Sequence, residues 1–369
     1  MPQLPCLAPP APPEFAAVRI KAQPEDFIVE ELPLYEPAGS GTHTYLWVEK
    51  RGLNTLDAVR RLASRLGKRA ADAGVAGLKD AQAVTRQWIS FEHVAQKPEE
   101  LLVIADSSLR VLKAVAHGNK LKMGHLRGNR FVILIRLPEG GGGLAAALAA
   151  RAAEILALLH RAGLPNYFGP QRFGWGGQNG ELGQLLVRGD STGFEKLYGQ
   201  LYGGRQRADR RLRNLLVNAF QSELFNRVLA LRMPGIGRLQ AGDLACLHRN
   251  GAVFKVATAE DAAKEQPRAD AFEISPSGPL FGPYTPLAEE LPGAMERQVL
   301  EGAGVTLEDF GRPEAGRQPG ARRPLRVPLL EEPLIEPGVE GVLLRFALPS
   351  GSYASVVLRE IVGTGLHEE

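Results

Sequence analysis

Residues 76–91, Ala-Gly-Leu-Lys-Asp-Ala-Gln-Ala-Val-Thr-Arg-Gln-Trp-Ile-Ser-Phe, constrain this chain more than any other stretch. Gly77 opens a turn and Lys79-Asp80 sits at its tip. From Val84 the period becomes two: Val84, Arg86, Trp88 and Ser90 point one way, Thr85, Gln87, Ile89 and Phe91 the other. Such a turn projects a carboxylate, with a cation beside it, from the start of a strand. Loops held by rigid elements are common places for catalytic groups. An ordinary surface turn with both charges solvated has the same composition, so the rest of the chain must decide between the two.

Extended and helical patterns alternate elsewhere. Residues 18–34 read as a strand, then Pro24 and a second extended run from Phe27; residues 43–50 read as another strand. Leu56, Val59, Leu62, Ala63 and Leu66 follow at helical spacing, with Thr55 as the expected N-cap and Gly67 as the stop. Residues 107–116 and 130–137 alternate again. The glycine run 140–143 lacks the strand–loop–helix context and the Lys-Ser/Thr of a nucleotide-binding loop. It reads as a hinge before an Ala/Leu-rich helix over 144–162, which Gly163 and Pro165 end. A second helix is expected over 209–232 and a small β unit over 242–256. A Gly/Pro/Arg-rich linker spans 311–323, after which strand-like and short helical patterns resume.

A chain of 369 residues has room for two domains. Its two cysteines, Cys6 in a Pro-rich tail and Cys246, argue against a disulfide framework and fit a reducing, cytoplasmic setting. No apolar run approaches the roughly 20 residues of a membrane span. The N-terminus lacks the basic start and apolar core of a signal peptide, and residues 1–13 read as a disordered leader. A net charge of +3 points only weakly to nucleic acid. The local distribution says more: Arg205, Arg207, Arg210, Arg211 and Arg213 cluster, as do Arg312, Arg317, Arg322, Arg323 and Arg326. Each cluster is either a solvated face or a phosphate-contacting rim. The seven histidines are scattered, with none at ligand spacing to a Cys pair, so no metal site is expected. A dinucleotide fold is excluded by the missing Gly-x-Gly-x-x-Gly after a strand.

Gly77-x-Lys79-Asp80-x-x-Ala83-x-Thr85-x-Gln87 resembles the signature of the TruD family of tRNA pseudouridine synthases. Further blocks stand in that family's order: Pro24-Glu25-Asp26-Phe27, Gly128-Asn129-Arg130-Phe131, Asn166-Tyr167-Phe168-Gly169-Pro170-Gln171-Arg172-Phe173-Gly174, and Leu348-Pro349-Ser350-Gly351-Ser352-Tyr353-Ala354. The resemblance runs from about residue 17 to about residue 362. It implies an α+β fold: a pseudouridine-synthase catalytic domain, mainly antiparallel sheet with helices, interrupted by an inserted α/β TRUD domain. The expected boundaries are 14–160 with 318–369 for the first and 161–317 for the second.

The implied reaction breaks the N1–C1′ bond of a uridine, turns the base and rejoins it through C5. No redox change occurs and no atom is added, so no cofactor is expected. The chemistry needs an ionised carboxylate, acting as nucleophile or as stabiliser of an electron-poor sugar, and a dry pocket for the detached base. Asp80 matches the catalytic carboxylate, and Lys79 beside it favours the ionised form. The resemblance places Phe27, Asn129 and Phe131 at the substrate, with Tyr353 where bacterial relatives carry Phe. Aromatic rings of this kind hold an extruded base by stacking. Ala81 and Gln82 replace basic residues common in relatives, and Ser277 replaces Thr.

Two other readings compete. A glycoside hydrolase needs two carboxylates, for which Glu30, Glu31 and Asp80 are available, although three Trp are few for a sugar cleft. A non-catalytic RNA-binding protein would keep the Arg clusters, Arg205, Arg207, Arg210 and Arg211 above all, without needing Lys79-Asp80. The intact motif favours the enzyme. On this reading the chain is a cytoplasmic, cofactor-independent isomerase of uridine 13 in tRNA, tRNA(Glu) foremost, acting as a monomer with no membrane and no obligatory protein partner.

Overall fold

The period of two over residues 84–91 is realised as a strand near the middle of a large sheet. A computed structural model describes residues 4–79, 82–138, 140–203, 208–316, 318–363 and the backbone of 367–368. The first unit comprises residues 11–160, 329–354 and 361–369. It opens with β1 (Phe27–Pro33), β2 (His43–Arg51), α1 (Thr55–Leu66), β3 (Val84–Glu92), β4 (Leu109–His117), β5 (Leu126–Arg136) and α2 (Leu144–Ala162). Asn54, not Thr55, caps α1: its side-chain oxygen accepts the Asp57 N–H at 2.9 Å. Thr55 becomes the first helical residue, and its hydroxyl is available for another partner. Gly67 ends the helix at φ 64°, a left-handed conformation that favours glycine. Leu46, Val48, Leu62, Leu66, Ile89 and Phe91 form the buried seam between α1 and the sheet.

One sequence expectation is corrected at α2. By length and composition, residues 141–162 are apolar enough to cross a membrane. Leu148, Ala152, Ile155, Leu156 and Leu159 form one buried stripe, however, and Arg151 donates to the Ile361 carbonyl at 2.5 Å. That is the pattern of a helix packed on one face.

The chain then enters the second unit, residues 161–328 with 1–10 and 355–360. Its elements are α3 (Gln178–Arg188), α4 (Ser191–Tyr202), α5 (Arg210–Arg232), β6 (Leu244–Leu247), β7 (Val253–Lys255), α6 (Ala259–Asp270), β8 (Ile274–Leu280), α7 (Glu290–Ala303) and β9 (Ala321–Pro324). The strands form an antiparallel sheet in the order β7–β6–β8–β9. α5 supplies Leu216, Val217, Phe220, Leu224 and Val228 to a core shared with Leu182, Phe194 and Val299 of α3, α4 and α7. The block from Asn166 pins this helix: the Phe168 N–H and carbonyl pair with the Asn226 side chain at 2.9 and 3.0 Å. Ser277 keeps the hydroxyl that its Thr counterpart would supply, donating to the Leu244 carbonyl and accepting from Arg322 Nε. The leader read as disordered is held from residue 7 onward, where the Leu7 and Ala8 N–H groups donate to Glu360 at 3.2 and 2.8 Å.

After residue 328 the chain returns to the first unit with β10 (Leu334–Pro337) and β11 (Gly341–Pro349), before α8 (Ala354–Val362). The principal strands of the ten-stranded sheet run β10–β11–β5–β1–β3–β2–β4. All neighbours in this row are antiparallel except β1 and β3. The register gives the sheet two different faces. One carries a ladder of alternating charge: Arg110 to Glu49 at 2.7 Å, Glu49 to Arg86 at 2.8 Å, Arg86 to Glu30, Glu30 to Arg130 at 3.1 Å, and Arg130 to Glu331. The other carries Phe27, Glu31, Lys50, Thr85, Gln87, Asn129 and Phe131.

Candidate active site

A set of hydrogen bonds fixes the turn that leads into β3. Gln87 Nε2 donates to the Gly77 carbonyl at 3.2 Å. The Lys79 N–H donates to Thr55 Oγ1 at 2.8 Å, and that hydroxyl donates to Gln87 Oε1, also at 2.8 Å. Lys50 Nζ, buried in β2, donates to the carbonyls of Leu53 and Lys79 at 2.5 and 3.2 Å. Lys50, Thr55 and Gln87 therefore hold the backbone of the turn from β2, α1 and β3 together. Asp80 and Ala81 lie outside the described residues. The residue immediately before Asp80 is fixed at both its N–H and its carbonyl.

Whether Lys79 points inward is not legible in the sequence; it does. Its Nζ donates to Asn129 Oδ1 at 2.5 Å and stands 3.8 Å from Glu31 Oε2, with the Lys79 and Glu31 side chains 6% and 1% exposed. Glu31 and Asn129 are direct partners in the β1–β5 register. Burial pushes the Glu31 carboxyl up to about 7, and the Lys79 ammonium restrains that rise. Because Asn129 accepts through Oδ1, its Nδ2 is the end left to donate.

An aromatic row lies on the same face. The Phe27 and Phe131 rings meet edge-on at 6.1 Å, and Phe131 stacks on Phe346 at 5.6 Å. Phe131 is only 7% exposed, whereas Phe27 is half-buried with Lys21 Nζ 4.8 Å above its ring. Phe27 is aimed by the turn before it: Pro24 starts a 3-10 turn, and buried Asp26 receives a bidentate bond from Arg136 at 2.7 Å to each oxygen. Gly128 is required because a Cβ there would lie 2.2 Å from the Leu348 carbonyl oxygen, so β11 could not pair so closely. Tyr353 is half-buried in the turn after β11, at the end of that strand where Pro349 pairs with Gly128.

The structure thus brings together Lys79, Asn129, Phe27 and Phe131 around residues that the sequence reading left out: Glu31 as a partner of Lys79, and Lys50, Thr55 and Gln87 as supports. It also bears on the paired carboxylates of a glycosidase. Glu30 lies on the opposite face of the sheet from Glu31, held by Arg86 and Arg130. Among the described residues no group of three or more His, Cys, Asp or Glu side chains could hold a metal ion.

In the second unit, Arg205 and Arg207 lie outside the described residues. Arg210 and Arg211 are exposed on the first turn of α5, and Arg210 lines an open notch of about 470 Å³ with Arg213 and Asn214. Of the second arginine cluster, Arg317 lies outside the described residues, Arg312 is exposed, and the other three are packed against the protein. The Arg322 side chain is 2% exposed and pairs with Glu296 at 2.8 Å, Arg326 is buried against the Ala162 and Ala269 carbonyls, and Arg323 lies 4.2 Å over Phe168.

The family model for tRNA pseudouridine synthase D (TruD) matches residues 14–206 and 199–361. The chain is 41% identical to a tRNA pseudouridine synthase D of Geobacter metallireducens, covering 94% of this chain and 95% of that protein. It is 46% identical to one of Anaeromyxobacter dehalogenans, over 93% and 92% of the two. A crystal structure from Methanosarcina mazei described as a TruD superimposes with a TM-score of 0.75 at 25% identity, covering 98% of this chain and 95% of that one.

Proposed function

Because this chain belongs to the TruD family of tRNA pseudouridine synthases, we propose that it isomerises uridine 13 of tRNA, tRNA(Glu) foremost, with Asp80 as its catalytic carboxylate. Pseudouridine formation in tRNA is the activity its relatives are named for. The observation that carries the finer reading is the fixed, inward Lys79 beside Asn129, one residue before Asp80. The Lys79 ammonium favours an ionised carboxylate nearby. Nδ2 of Asn129 donates to a uracil oxygen or to that carboxylate, and Phe27 and Phe131 offer ring faces and edges to the base. The carboxylate attacks C1′ or stabilises the sugar as N1 departs with the bonding electrons, the detached base turns in the pocket, and C5 bonds to C1′ as any ester to the carboxylate is released; the C5 proton then passes to the carboxylate, and N1 gains a proton from solvent. The unit containing these residues is then the catalytic domain, and the unit built on α5 the inserted domain that grips the tRNA body. The enzyme works in the cytoplasm, as a monomer.

Mapping pseudouridine in tRNA from a deletion strain tests this directly. The modification at position 13 should vanish and return with the wild-type gene; its persistence in the deletion strain defeats the proposal.

Phe131→Leu, chosen because alanine would also empty a packed site, should cost roughly 1–3 kcal/mol in kcat/KM if a base-stacking contact is lost. Tyr353→Phe should be nearly silent, since the ring is kept; a comparable loss there would mean that the hydroxyl is used. In the second unit, Arg210→Gln with Arg211→Gln should weaken tRNA binding and flatten its salt dependence by roughly one logarithmic slope unit per phosphate contact removed. An unchanged slope in a filter-binding series would make that turn of α5 a solvated face.

A further inference from the structure

Glu31 has no part in the reaction as derived above, yet it is a buried carboxylate set directly beside Lys79. It stands directly opposite Asn129 across the β1–β5 pair. Oε1 takes the Trp88 N–H at 3.4 Å, and Oε2 has no hydrogen-bond partner among the described residues, only the Lys79 ammonium at 3.8 Å. A carboxylate so sparsely hydrogen-bonded is costly to bury. Two residues earlier on the same face, β1 carries Val29, the ordinary choice.

We propose that Glu31 is a positioning residue for pseudouridine formation: it draws the Lys79 ammonium between β1 and β5, where that ammonium fixes the Asn129 amide with Nδ2 turned toward the substrate. This rests on the functional reading of Lys79, Asp80 and Asn129. The geometry supports each step. Lys79 Nζ faces oxygens on two adjacent strands, donating to Asn129 Oδ1 and standing 3.8 Å from Glu31 Oε2. Lys50, the other cation packed on the turn, is directed at the carbonyls of Leu53 and Lys79. Without the Glu31 charge, Lys79 has less reason to stay inward and protonated, and the amide loses the donor that orients it. The carboxyl of Glu31, raised by burial to about 7, must be ionised for this role. Its contribution is therefore present above that pH and lost as pH falls through it.

The test uses full-length enzyme on a tRNA transcript, with Glu31→Gln, Lys79→Gln, their double variant and Glu31→Asp. Glu31→Gln should lower kcat at least tenfold with the tRNA Kd within about twofold. The double variant should be no worse than Lys79→Gln alone, because Glu31 acts only through that lysine. The acid limb of the kcat profile near pH 7 should disappear in Glu31→Gln and survive in Glu31→Asp. Where the glutamine variant does not fold, Glu31→Asp carries the test: its shorter carboxylate should lower kcat while keeping the acid limb. A kcat within twofold of wild type in whichever variant is read, or losses that multiply in the double variant, overturns the proposal. A wild-type enzyme that forms no pseudouridine overturns the functional reading instead.

Discussion

Asp80→Asn is expected to abolish pseudouridine formation and to leave tRNA binding intact. The amide is nearly isosteric with the carboxylate, and the Lys79 backbone before it is held by Thr55 and Lys50, so the substitution should leave the approach to residue 80 unchanged. An amide is neither a nucleophile toward C1′ nor a base for the C5 proton. Turnover should fall at least about a thousandfold, roughly 4 kcal/mol of lost transition-state stabilisation, with the tRNA Kd within about threefold. Single-turnover assays with excess enzyme separate the two quantities. Activity within about tenfold of wild type, near 1.4 kcal/mol, would remove Asp80 from the chemistry. It would leave Lys79, Asn129 and Glu31 as a binding constellation only.

The parts of this site that were readable in the sequence are those set by local periodicity. β3 and α1 follow from a period of two and of 3.6, and the seam of Leu46, Leu62, Ile89 and Phe91 follows from both. What periodicity cannot supply is which of two alternating positions faces inward. Glu30 and Glu31 are adjacent and chemically equivalent in the sequence. One joins the half-buried charge ladder and the other the buried site, and only the pairing of β1 with β5 and β3 decides it. The cap of α1 was misplaced by one residue for a related reason. Asn54 and Thr55 are both good caps, and the choice is made by Gln87 and the Lys79 N–H, which engage the Thr55 hydroxyl from across the unit. The arginines after residue 311 show the same limit for charge: proximity in sequence measures charge density, not exposure. Arg322 and Arg326 are interior because Glu296 and the carbonyls of Ala162 and Ala269 satisfy them. α3, α4, α6 and α7 were not anticipated, since their buried positions are set by packing around α5 more than by a sustained apolar stripe.

The largest expected effect on stability lies in the second unit, at Asp243→Ala. Asp243 is fully buried and takes two bonds from Arg232, at 2.6 and 3.1 Å, with the Arg232 side chain 3% exposed. The Gln240 N–H adds a third at 2.8 Å, and Arg232 also donates to the Arg238 carbonyl at 3.0 Å. Truncating the carboxylate leaves a guanidinium in the core with that carbonyl as its remaining acceptor among the described residues. Breaking a buried pair in this way costs about 3–5 kcal/mol. For a unit of this size that is a loss of about 6–20 °C in melting temperature. Replacing both partners, Arg232→Met with Asp243→Leu, should recover most of the loss, since apolar residues of similar volume carry no desolvation cost. Calorimetry on the wild type and both variants measures this, and tRNA affinity of Asp243→Ala at a temperature between its midpoint and that of the wild type should fall with the folded fraction of the unit. A shift below about 2 °C in Asp243→Ala would mean that water or another acceptor already serves Arg232, and that α5 is anchored by its apolar face alone.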